Sequence, residues 1–205
     1  MRTMRTLPAL LAVMLVAGCF GGLSSKLPAQ QRYVLRPTLA APADSGQPVT
    51  LASVKVLRPI AAPGLGGEGI AVLRPGSRLD FYSSAGWAVD APTVLQSLVI
   101  ESLRRAGRFT TVESDSGPFA AQYVLSLDLE HFEADYAGDG PPTVQVALVC
   151  SLGRRSDRSV LVSFTASGTM RADADRMQAV MSAFEQATSQ ALAQVAANIV
   201  PPAVH

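Results

Sequence analysis

Cysteine is scarce in this 205-residue chain, with only Cys19 and Cys150 present, so it is not a disulfide scaffold. Histidine is equally scarce. Its two copies are His131 and the terminal His205, and no Gly-x-Ser-x-Gly elbow or His-Glu-x-x-His helix accompanies them. Neither charge sign is in excess, with 17 basic and 16 acidic side chains, which argues against a nucleic-acid binder. Long apolar runs are missing too. The one candidate, Leu7 to Ala17, is 11 residues, roughly half of what a bilayer-crossing helix needs.

That short run has a different use. It follows Met-Arg-Thr-Met-Arg-Thr, with two positive charges and no acid, and precedes Gly18-Cys19. This is the pattern of a secretory signal peptide over residues 1–18 rather than a membrane span. Val16-Ala17-Gly18-Cys19 resembles the bacterial lipobox. The resemblance implies cleavage between Gly18 and Cys19, and acylation of Cys19 by diacylglyceryl and palmitate-type chains. Two or three such chains hold a protein on a membrane essentially permanently, at about 0.8 kcal/mol per buried methylene. Phe20, rather than Asp, follows the cysteine, and by resemblance to known sorting rules this favours the outer membrane, with the domain facing the periplasm.

Removing residues 1–18 takes away Arg2 and Arg5, leaving 15 basic against 16 acidic side chains in 187 residues, enough for one domain and a tether. Residues 19–31, rich in Gly, Ser, Pro and Gln, are expected to tether a single domain over 32–200, and 201–205 form a short tail. Within the domain, strands are expected at Arg32–Arg36 and Val49–Leu57, separated by a loop from Pro37 to Pro48. A hairpin follows from Ile70–Leu73, the turn Arg74–Ser77 and Arg78–Tyr82, whose second arm runs out into Ser83–Val89.

A helix starts near Asp90, whose carboxylate caps free amides. Leu95, Leu98, Val99 and Leu103 lie on one face, and Gly107 ends it. Further strands are expected at Arg108–Val112, Gln122–Glu130, Val144–Leu152 and Val160–Met170. The last two are joined by the polar loop Gly153–Ser159, which carries Arg154, Arg155 and Arg158. Ala174–Ile199 reads as a long Ala-rich helix with Val180, Phe184, Ala191 and Val195 on one stripe, the natural cover for the sheet. The expected fold is α+β, a two-layer sandwich of mostly antiparallel or mixed sheet covered on one face by two helices.

Chemistry-bearing motifs are few. Gly64-x-Gly66-x-x-Gly69 matches a dinucleotide fingerprint, but a hairpin strand follows where a helix is required, so a loop is expected. His131, Glu133 and Asp135 alternate on an extended segment without a further ligand set, and read as a solvated strand end rather than a metal site. Cys150 falls on the apolar side of an alternating strand as a buried thiol. No catalytic residue and no cofactor are expected. Phe81, Tyr82 and Trp87 bracket a Gly-containing bend before the helix. They close the core there, and they are the candidate contacts for a partner or lipid-like ligand.

Several marks occur in order: the lipobox; the aromatic strand Tyr33-Val34-Leu35; Val54-x-Val56 followed by Arg58-Pro59; a Gly-rich loop leading to Ile70; Phe81-Tyr82; Trp87 before a helix; and Tyr123-Val124-Leu125 before a C-terminal helix. Together they resemble the ABC-type transport auxiliary lipoproteins, the PqiC (YmbA)-like lipoproteins. The resemblance spans about Tyr33 to Ile199. It departs at the Gly-rich stretch Ala61–Glu68 and at the three arginines of Gly153–Ser159. It implies a non-enzymatic α/β lipoprotein of an MCE-type lipid transport system. The partners implied are a periplasmic MCE protein, docked at the outer membrane, and its ABC ATPase and permease; a ring of such domains would receive the end of the MCE tunnel. Two rival readings are an accessory lipoprotein of outer-membrane assembly or a cell-wall synthase, and a small periplasmic lipid carrier.

Overall fold

The computed structural model describes residues 30–39 and 50–201, without the side chains of residues 50 and 51. The expected signal peptide, Gly18, Cys19, most of the tether and His205 lie outside the described residues. The elements are β1 (Gln31–Tyr33), β2 (Thr50–Val56), β3 (Ile60–Ala61), β4 (Gly69–Arg74), β5 (Arg78–Trp87), α1 (Ala91–Ala106), β6 (Phe109–Ser114), β7 (Tyr123–Asp135), β8 (Thr143–Arg154), β9 (Val160–Arg171) and α2 (Met177–Asn198). The fold is α+β, with a mixed sheet whose inner face carries both helices.

The sheet is organised by β7. One edge pairs antiparallel with β8 along the whole strand, and β8 pairs in turn with β9. The other edge takes three parallel segments in succession. Val54–Val56 lies beside Tyr123–Leu125, Ile60–Ala61 beside Asp128–Leu129, and Ala71–Leu73 beside Glu133–Asp135. The sheet therefore forks, with β6 continuing from β2, and β5 then β1 from β4.

The expected strand Gln122–Glu130 continues to Asp135. A register shift between Leu129 and His131 inserts one residue, so Glu130 and His131 are both exposed before Phe132 turns inward. This β-bulge breaks the period-two pattern where the sequence reading stopped the strand. At the N-terminal side, pairing ends at Tyr33 rather than Arg36. Leu35 and Leu39 leave the sheet and are buried, and the Arg36 amide donates to the Glu185 carboxylate on α2 at 3.1 Å.

The inner face of β8 presents Val144, Val146, Leu148, Cys150 and Leu152, all essentially inaccessible. Val180, Phe184, Leu192 and Val195 of α2 pack against them, and Leu95, Val99 and Leu103 of α1 join the same buried core beside α2, β2 and β6. Each such side chain contributes about 1.5–3 kcal/mol by leaving water. Helix α1 has both expected caps. Asp90 accepts from the Thr93 amide at 2.9 Å, and Gly107, at φ 69°, donates its amide to the Arg104 carbonyl. Helix α2 lies on β9 at backbone contact, because a Cβ on Gly168 would collide with the Ala187 carbonyl. Its Gln190 and Gln194 side chains accept from the Thr169 and Ser167 amides on the free edge of β9.

Two stability effects follow. Gly168→Val must lift α2 off the sheet and should cost about 1–3 kcal/mol in denaturant unfolding, whereas Gly138→Ala, in open space, should be near neutral. At Asp90, burial alone would raise the carboxyl, but the Thr93 amide and hydroxyl and the Arg58 guanidinium outweigh it and hold the group below its ordinary range. Asp90→Ala should cost about 1 kcal/mol near neutral pH. That difference is present above the unfolded value of about 4 and is lost as pH falls below it, because protonation removes the cap's charge. Unfolding midpoints of both chains from pH 7 to pH 2 measure it.

Candidate functional site

The three aromatics singled out in the sequence divide between core and surface. Trp87, the last residue of β5, is wholly buried. Its ring centroid lies 5.1 Å from that of Phe132 on β7 and 5.2 Å, edge-on, from Phe184 on α2, and the two phenylalanines are themselves 5.3 Å apart. With no exposed surface, Trp87 cannot touch a partner. It ties one branch of the sheet to β7 and α2, and its indole nitrogen has no hydrogen-bond partner among the described residues.

Phe81 and Leu79 point the other way. Register pairs Phe81 with Ala71, and Ala71 with Glu133, on the sheet face opposite the helices. There Phe81 is 46% exposed and Leu79 38%. The Gly-rich loop fits beneath them. A Cβ on Gly69 would approach the Phe81 ring to 2.6 Å, and one on Gly64, which has φ 88°, would collide with Leu79.

That loop connects β3 to β4 and meets the start of α1 with carbonyls rather than amides. The Glu68 carbonyl accepts from the Trp87 amide at 2.7 Å and the Gly67 carbonyl from the Ala91 amide at 3.1 Å. Arg32 reinforces this junction, its guanidinium donating to the Glu68 carboxylate at 2.5 Å and to the Trp87 carbonyl at 3.0 Å.

Tyr82 belongs to a short polar relay at the end of the sheet where β7 finishes. Its hydroxyl lies 2.8 Å from that of Tyr136, which donates to the Asp175 carboxylate at 2.7 Å just ahead of α2. The Arg74 guanidinium stacks 4.8 Å above the Tyr136 ring. Burial raises the Tyr82 phenol, partly offset by its bond to Tyr136. Burial and the bonds to Tyr82 and Asp175 push Tyr136 far above the ordinary phenol range. Tyr136, Asp175 and Arg74 were not singled out in the sequence. Arg74 ends β4 while Tyr136 and Asp175 sit in two separate connections, and only the folded sheet brings them together.

The remaining candidates sort themselves by geometry. His131 and Glu133 do meet, at 2.6 Å, and Glu133, buried, also accepts from the Phe132 amide. Asp135 does not join them, since its two oxygens accept from the Ala137 amide and the Gln145 side chain. Among the described residues no three metal-ligating side chains converge. Cys150 is buried, and burial first of all raises its thiol to about 12, so it stays protonated. Arg154 and Arg155 line a cleft at the opposite end of the sheet from Tyr136.

A family model described as the ABC-type transport auxiliary lipoprotein component matches residues 33–200, from the end of β1 to just past α2. The chain belongs to this family. Among solved structures it is similar to a Xanthomonas campestris protein described as a DUF330 family member. The two are 28% identical with a TM-score of 0.71, covering 80% of this chain and 92% of that one. A second structure, of an uncharacterized protein, is 14% identical with a TM-score of 0.63, covers 82% of this chain and 97% of that one, and shows the fold alone. None of the curated proteins compared matches the chain. The family is one of transport auxiliaries rather than enzymes, and a lipoprotein-type family goes with membrane anchoring. No described helix is long and apolar enough to cross a membrane.

The relay makes a testable contribution. Tyr136→Phe removes both of its hydroxyl bonds and should lower stability by about 1–3 kcal/mol, more than Tyr82→Phe, which removes one. Both phenols are raised in the folded protein. Their stabilisation is therefore complete below the unfolded value of about 10 and is lost as pH rises through the higher folded values. The difference between wild type and Tyr136→Phe in urea unfolding should hold steady from pH 7 to pH 9 and shrink above about pH 10.

Proposed function

We propose that this protein is a lipid-anchored auxiliary component of an ABC-type phospholipid transport system, and that it docks the periplasmic MCE component at the outer membrane. The observation that carries the reading is the family match over residues 33–200, which takes in nearly all of the described domain. The Val16–Cys19 lipobox supports Cys19, following cleavage after Gly18, as the anchor, and Phe20 supports the outer membrane. Anchoring confines the domain to a surface, so weak contacts with a tunnel protein act at a high effective concentration.

The contact surface proposed is the patch of exposed Phe81 and Leu79 on the sheet face away from the helices, with Tyr82 at its margin. Exposed aromatic and aliphatic side chains on a rigid strand are the kind of anchor that protein interfaces use. The relay from Tyr82 to Asp175 ties that strand to the start of α2, which lowers the ordering cost of binding.

Affinity capture from detergent-solubilised membranes, read by mass spectrometry, tests the proposal. Recovery of an MCE protein with its ATPase and permease is expected, and Phe81→Ser should weaken that capture about tenfold or more, beyond the modest drop in unfolding midpoint that loss of its packing over Gly69 causes. Recovery of a cell-wall synthase, or of phospholipid without any protein partner, sinks the docking role. Cys19→Ala should yield an uncleaved precursor without acyl label. Its continued processing and partition with outer membrane would rule out the lipobox.

A further inference from the structure

The β8–β9 hairpin does not take part in the surface just described. Its turn lies where β7 begins, since Tyr123 is in register with Arg154, while Phe81 and Tyr136 lie toward the end where β7 finishes. Between the segment that enters β7 and this turn is a cleft of about 490 Å³, lined by Ala121, Gln122, Tyr123, Arg154, Arg155 and Ser156. Every polar side chain in that lining can donate a hydrogen bond and none is a carboxylate.

The charge here is not internally neutralised. Arg154 uses one guanidinium nitrogen on Asp157, at 3.1 Å, and Asp157 is held low first by its bonds from Ser159, with Arg154 a lesser contributor. Arg155 and Arg158 have no side-chain partner among the described residues. Arg158 also sits at φ 58°, a left-handed position that glycine or asparagine fills with less strain.

The neighbouring connection adds more positive charge. Helix α1 ends in Arg104 and Arg105, and Arg108 follows, with its Nε buried and unpaired. The next residue, Phe109, places its ring 6.4 Å from that of Tyr123 on the wall of the cleft. A concave site of a few hundred Å³ suits a small ligand better than a protein face, which would call for a flat apolar centre. Paired guanidinium groups match the oxygens of a phosphate in bidentate geometry.

We infer that the cleft between Gln122–Tyr123 and Arg154–Ser156 is a binding site for a phosphate-bearing ligand of headgroup size. Arg154 and Arg155 hold the phosphate oxygens, Gln122 and Ser156 donate at the rim, and the Tyr123 ring carries the organic part. The site is separate from the Phe81 surface and does not depend on the docking role.

The test uses the full chain in detergent at low ionic strength, where such contacts are least screened. The probes are inorganic phosphate and glycerophosphoglycerol, a soluble diester, each at up to about 10 mM, enough to fill a millimolar site. Titration calorimetry is paired with hydrogen exchange over residues 121–123 and 153–159. Both segments should gain protection, and Arg154→Gln with Arg155→Gln should weaken binding about tenfold or more. Arg78→Gln, at the far end of β5, should bind as wild type does. Tighter binding of the diester assigns a lipid headgroup as the source, and equal binding a free phosphate. Absence of binding by either probe, affinity unchanged in the double variant, or protection by polyglutamate alone would overturn the site, the last in favour of an acidic protein partner.

Discussion

Strand β7 is hydrogen-bonded along both edges over its 13 residues, and every other element is positioned from it. On one side it holds the long β8–β9 hairpin that supports α2. On the other it aligns β2, β3 and β4, which occupy one edge in chain order as if they were a single interrupted strand. The interruption between β3 and β4 is the Gly-rich loop. Because β7 fixes where that loop leaves and rejoins the sheet, its carbonyls reach the Trp87 and Ala91 amides and set the start of α1. The buried contact of Trp87 with Phe132 and Phe184 then locks the β5 branch to β7 and α2. A change in the register of β7 would propagate to both helices and both ends of the sheet.

Elements that announce themselves through local rules were legible in the sequence. Helix α1 is the clearest, since Asp90 and Gly107 cap it where their side-chain and backbone chemistry requires. The alternation in β8 and β9 was equally plain, because a strand with one covered face keeps its period unless something interrupts it. What was hidden depends on interruption or distance. The bulge at Glu130 shifted the phase of β7, so His131 to Asp135 read as a strand end rather than as the stretch that pairs with β4. Strand β3, at two residues, is too short to carry a period.

The candidate site shows the same division. Phe81, Tyr82 and Trp87 stand out as aromatics near a bend, but a single local pattern could not reveal that β5 sends Trp87 inward and Phe81 outward across an irregular pairing with β4. The Tyr82–Tyr136–Asp175 relay joins residues 54 and 39 positions apart, and no local pattern encodes such contacts. The helix cover over β9 is similar. Gly168 in a strand looks like a weakness until Ala187 is found against it, and Gln190 and Gln194 look like solvent-facing polar residues until they are found closing the free edge. Edge closure of this kind guards a long strand against unwanted pairing with other chains.

The direction in which the chain enters the domain relates the two ends of the sheet to the proposed anchor at Cys19. Strand β1 is parallel to β5, which is antiparallel to β4, and β4 is parallel to β7. The chain thus arrives from the side where β7 ends, near Tyr136, and heads toward the side where it begins. Residues 20–30 could span at most about 40 Å if fully extended, which keeps the Phe81 end within reach of the bilayer. The Arg154–Arg155 cleft lies a further eight residues along β7 from the level of His131, a distance of about 27 Å at strand rise. Because this is shorter than the reach of an extended tether, the proposed anchor at Cys19 leaves both the cleft and the Phe81 face able to meet the leaflet.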